Sequence, residues 1–99
     1  MISEKVKSLI EVVEELGYEI DHFEVAEAIE CYAESHLDGW GSEYDGLDAD
    51  GVLYKLRTSH DLSIEVEKFE EEFNVPVSDE VYRVLEDAFN DEVVSQFDE

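Results

Sequence analysis

Between residues 8 and 54 the chain carries fourteen Asp and Glu and not one Lys or Arg. No interior can hold so many ionised carboxyls, because each one taken out of water without a partner costs far more than a small fold can supply. Whatever this segment folds into must turn its acids to solvent and build a core from the residues between them. Those residues recur at helical spacing. Val6, Leu9, Ile10, Val13 and Leu16 predict an amphipathic helix over residues 3–16, with Gly17 as its stop. Asp21 then reads as an N-cap, with Glu24 in the capping-box position, for a second helix from residue 22 to about 37. Its apolar side is Val25, Ala28, Ile29, Tyr32 and Ala33. Glu27, Glu30 and Glu34 fall opposite, in a wedge roughly 60° wide at about 100° per residue. Any solvated helix face can carry such a stripe; this one has no cation in it.

Residues 38–51 read as a loop that holds four of the five glycines, the only tryptophan and five acids. Residues 52–66 fit two patterns. Ala49, Val52, Leu53 and Leu56 make one helical face, and Leu62, Val66, Phe69 and Phe73 another. As a β-hairpin turning at residues 59–61, Lys55 would face Glu65 across the strands. The helix-forming run 65–73 favours the first reading. Residues 74–77 break the pattern around Pro76, and Ser78 caps a last helix with Asp79 and Glu80 in its first turn. Val81, Val84, Leu85, Ala88 and Phe89 give that helix its buried face, with Glu86, Asp87, Asp91 and Glu92 mostly outside. The expected fold is mainly α, a single domain over residues 1–99 with four to five helices; the alternative is α+β with a hairpin at 52–66.

At 43% hydrophobic the chain has too much apolar content for a disordered acidic tail, so the charge belongs to a folded domain. Its net charge is −23. A compact chain of this length spans roughly 33 Å, which puts about one net charge per 1.4 Å against about one per 1.7 Å for duplex DNA. Solubility needs far less, so the excess implies a use or an unusual solvent. A halophile's acidic surface fits poorly, because Glu outnumbers Asp nineteen to ten and large apolar residues are plentiful. The single Cys31 allows no internal disulfide and suits a reducing compartment. Neither a signal-peptide pattern nor a membrane-length apolar run is present, and an anionic lipid surface would repel the chain; the expected location is cytoplasmic.

Catalytic patterns are missing. There is no nucleophile elbow, and 29 acids leave no way to select a catalytic pair. His22, His36 and His60 lie far apart in sequence and read as surface or cap residues. A calcium loop at Asp45, Asp48, Asp50 and Gly51 fails, since the EF-hand register would put Gly46 at position 1 and Arg57 at position 12. Cys31 has no CxxC context for zinc. There is no phosphate-cradling glycine loop, and phosphates would be repelled. The expectation is a protein that is no enzyme, with no cofactor and no metal site, and with no direct binding to nucleic acid.

In size, charge, single-domain build and acidic surface with aromatics, the whole chain resembles the DNA-mimic inhibitors of phages and mobile elements, of the antirestriction and anti-CRISPR kinds. Gly39-Trp40-Gly41-Ser42-Glu43-Tyr44-Asp45 is similar to the acidic, aromatic stretches that some Cas9-blocking members place in the PAM-reading cleft. That resemblance implies a phage-encoded inhibitor acting in a host cytoplasm, as monomer or homodimer, by occluding the basic cleft of a nucleic-acid-binding protein. The alternative is an immunity protein, antitoxin or adaptor that binds a basic partner elsewhere than a nucleic-acid cleft. A weaker likeness to acyl carrier proteins rests on residues 46–51 and 69–80, but Gly51 stands where the carrier serine must be. The residues expected to meet the partner are Glu27, Glu30, Glu34, Asp38, Trp40, Glu43, Tyr44, Asp45, Asp48 and Asp50, with Trp40 and Tyr44 as desolvated anchors.

Overall fold

A computed structural model describes residues 3–97. They form five α-helices: α1 (Glu4–Glu15), α2 (His22–Trp40), α3 (Ala49–Ser59), α4 (Ser63–Phe73) and α5 (Asp79–Phe97), with a 3₁₀ turn (Gly41–Tyr44) after α2. The chain is mainly α, as its periodicity predicts, and no strand occurs among the described residues. The hairpin alternative for 52–66 is not adopted, because that segment divides between α3 and α4.

Local chemistry sets the helix ends. The Ser3 hydroxyl accepts the Val6 N–H at 3.3 Å, and the Asp21 carboxylate accepts the Glu24 N–H at 3.0 Å. Gly17, at φ +98°, closes α1: its N–H donates to Glu14 O and that of Tyr18 to Val13 O. This is a Schellman ending, which needs the left-handed backbone that glycine adopts without strain. Asp48 caps α3 by accepting the Gly51 N–H at 2.8 Å, and Ser78 caps α5 through Val81 N–H at 3.4 Å.

One sequence expectation fails here. Residues 38–51 do not form a loop. Helix α2 runs on to Trp40, the 3₁₀ turn follows directly, and α3 begins at Ala49. Gly39 and Gly41 sit at negative φ; of the four glycines in this segment, Gly46 alone turns left-handed, at φ +83°. The glycines suggest flexibility that the burial of His36 and Tyr44 overrides.

Helix α5 organises the interior. It packs against α1, α2 and α3, and its Val81, Leu85, Phe89 and Val93 are wholly buried. Leu9 and Val13 of α1, Val25 and Ile29 of α2 and Val52 of α3 complete the centre, with Phe69 supplied by α4. The radius of gyration is 13.1 Å, close to the ~13 Å of an ordinary domain of this length. Repulsion among the carboxylates therefore does not expand the fold. No helix among the described residues is long and apolar enough to cross a membrane.

Candidate functional site

Packing one face of α2 against α1 and α5 fixes which of its residues must face water. Val25, Ala28, Ile29, Tyr32, Ala33 and His36 point inward. Glu27, Glu30, Glu34 and Asp38 are exposed on the opposite side. None of these four carboxylates meets a cation among the described residues. At about 1.5 Å of rise per residue, the row from Glu27 to Asp38 spans roughly 16.5 Å. Phe23, 72% exposed, lies in the same angular sector one turn before Glu27. The row is thus an aromatic ring followed by four carboxylates on one rigid element. Phe23 was not among the residues expected from sequence, although its place four residues before Glu27 puts it on that face.

The remainder of the expected surface divides. Trp40, at the end of α2, is 58% exposed and free to meet a partner. Asp45 and Asp50 are exposed. Glu43 is exposed but engaged: Lys55 Nζ donates to its carbonyl at 2.9 Å and its carboxylate at 3.2 Å. Asp48 is also exposed and caps α3. Tyr44 is no surface anchor, being only 3% exposed. Its ring packs edge-on to Phe97 and its hydroxyl meets His36. Burial, then the Glu43 charge, raise its phenol pKa.

A second arrangement lies on the buried side of α2. The cap-or-surface reading of the histidines holds for exposed His22, whose ring lies 3.2 Å from Glu14. It fails for His36, which is buried; His60 is the C-cap of α3, its N–H donating to Leu56 O, and is half-buried. Helix α2 carries His36 inward, the end of α3 delivers His60, and the first turn of α4 delivers Glu65. The two imidazoles meet edge to face at 4.3 Å between centroids, and the His60 ring stacks on Phe89. His36 Nε2 lies 2.6 Å from the Tyr44 hydroxyl, and His60 Nε2 lies 3.3 Å from Glu65 Oε1. Burial, then the neighbouring His60, lower the His36 pKa from 6.5 to about 4. His36 is therefore a neutral imidazole at ordinary pH. A cavity of about 270 Å³ opens against His36, His60, Tyr44, Trp40 and Lys55. Ligand atoms of His36, His60 and Glu65 all lie within 4.8 Å of one another, so among the described residues these three side chains are placed to share a metal.

Sequence reasoning could not assemble this cluster, because its members lie 24 and 5 residues apart, on α2, just past the end of α3 and on α4. The one available signal was the placement of Glu65 between Leu62 and Phe69 on the apolar side of α4. Compared with protein-family models, with curated proteins and with solved structures, the chain matches none.

Proposed function

We propose that this protein is a non-enzymatic inhibitor that mimics nucleic acid, occupying the basic cleft of a DNA- or RNA-binding protein through the outer face of α2. The observation that carries this reading is the exposed row Glu27, Glu30, Glu34 and Asp38, unpaired with any cation among the described residues. The row's length of roughly 16.5 Å is close to the rise of about five phosphate-to-phosphate steps on one DNA strand, at about 3.4 Å each. Along the 42 Å long axis of the molecule the net charge amounts to about one per 2 Å, near the value of about one per 1.7 Å for the duplex. A field of this strength attracts a basic cleft at long range and speeds encounter. Phe23 and Trp40 supply apolar contact that the carboxylates lack, and such aromatic anchors hold a complex once formed.

The test is displacement from immobilised duplex DNA. DNA-binding proteins from a host lysate are loaded on the resin and eluted with this protein or with polyglutamate of equal total charge. A nucleic-acid mimic releases a discrete protein at concentrations where polyglutamate does not, and the Glu30→Lys, Glu34→Lys double variant fails to do so. If wild-type protein releases nothing beyond the polyglutamate control, the mimicry reading is wrong. A basic protein that binds it without losing DNA would identify the immunity-protein or adaptor alternative instead.

A further inference from the structure

We infer that His36, His60 and Glu65 form a binding site for one divalent transition-metal ion of the zinc class, behind the two histidines that border the cavity beside Tyr44. Two observations point to it. The ligand atoms of all three side chains lie within 4.8 Å of one another. Glu65 is only 6% exposed, and its Oε2 is buried with no hydrogen-bond partner. Buried polar atoms in folded proteins are almost always satisfied, so an orphaned carboxylate oxygen beside two imidazoles offers a donor that a bound cation would satisfy.

The donor set selects the ion. Two imidazole nitrogens and one carboxylate suit zinc and its first-row neighbours, whereas magnesium and calcium take all-oxygen shells. Bond lengths of about 2.0–2.1 Å put neighbouring donors in a tetrahedral site roughly 3.4 Å apart. His60 Nε2 and Glu65 Oε1 already stand at 3.3 Å. The His36 ring closes the remaining gap of up to about 1.4 Å by side-chain rotation, small beside the cavity it borders. With the metal on His36 Nδ1, the Tyr44 hydroxyl, 2.6 Å from Nε2, would be the outer partner that metal-bound imidazoles keep on their second nitrogen. The cavity that His36 and His60 border is the side from which water would supply a fourth ligand. Lys55, the nearest cation lining it, is turned to Glu43 by two hydrogen bonds. The net charge of −23 concentrates divalent cations near the surface without choosing among them.

That field also sets the control, because 29 acids bind metals weakly and without stoichiometry. The metal-free protein is titrated calorimetrically with Zn²⁺ in 0.5 M salt and excess Mg²⁺, which suppress surface binding. The expected result is one equivalent bound with micromolar affinity or better. Glu65→Gln and His60→Gln should each weaken it at least about tenfold, while Glu27→Gln, on the outer face, leaves it unchanged. Co²⁺ is the second readout: bound in the site, it should show the intense visible absorption of a four- or five-coordinate ion, lost in Glu65→Gln. That spectrum keeps the proposal decidable if a histidine variant fails to fold. No saturable equivalent above the Mg²⁺ background, or an equivalent that Glu65→Gln retains at wild-type affinity, overturns the assignment.

Discussion

Replacing Glu30 by Lys should make the protein more stable. Glu30 is exposed near the middle of α2, so neither helix terminus acts on it. The one contact recorded for this residue from outside α2, the Gln96 side-chain amide, goes to its backbone carbonyl and survives the change. Lys and Glu have nearly equal helix propensity. What changes is the pairing with Glu27, three residues before, and Glu34, four residues after. A like-charge pair at such spacing costs about 0.2–0.5 kcal/mol, and an opposite pair gains a similar amount. Reversing one member of two pairs therefore stabilises by about 1–2 kcal/mol at low ionic strength. For a domain of this size that raises Tm by roughly 5–10 °C. Differential scanning calorimetry of Glu30→Lys and wild type in 10 mM and 1 M salt is the assay. The gain should shrink strongly in 1 M salt, where the Debye length falls to about 3 Å. A lower Tm, or a gain of equal size at both salt levels, would refute the view that this row is held together against its own repulsion. The same variant should lose partner binding, so the residue that function wants is the one stability would remove.

Other outcomes follow from the same structure. Phe89→Ala should cost about 3–5 kcal/mol in urea denaturation, because its wholly buried ring touches both histidines; a loss under 1 kcal/mol would show that α5 does not close the core as described. Asp48→Ala should cost about 1 kcal/mol by removing the α3 cap, with an unchanged urea midpoint as the contrary result. Because the folded protein resists protonating His36 until about pH 4 while the unfolded chain takes up a proton near 6.5, stability is full above 6.5 and falls as pH drops towards 4. Measured in 1 M salt to quiet the carboxylates, equal urea midpoints at pH 7 and pH 5 would contradict that burial.

Most of the helical architecture was legible because α1, α2 and α5 announce themselves twice, by apolar spacing and by a cap or stop, whereas α4, with no side-chain N-cap bond, is marked by spacing alone. Asp21, Ser78 and Gly17 act where their chemistry predicts. The segment 38–51 was not legible, since Gly39 and Gly41 are helix-weakening residues held in place by tertiary burial of their neighbours His36 and Tyr44. The outer row of α2 could be read from 3.6-residue periodicity alone, because it depends on one element. The histidine cluster depends on how the end of α3 and the start of α4 fold back over α2, and no local pattern encodes that. Tyr44 was misplaced for a related reason: an aromatic among acids and glycines looks exposed until Phe97, distant in sequence, is seen against it.

Helix α5 is the last of the five in chain order, and it is the element that α1, α2 and α3 all pack against. During synthesis the first four helices must therefore wait with their apolar faces uncovered, since the surface that completes them has not yet been made. An unfinished chain in that condition is the kind that sticks to its neighbours. Here the waiting faces of α1, α2 and α4 are bordered by carboxylates, and nascent chains of like charge repel one another. The charge that strains the finished fold thus works, a few seconds earlier in the life of the molecule, as its own chaperone.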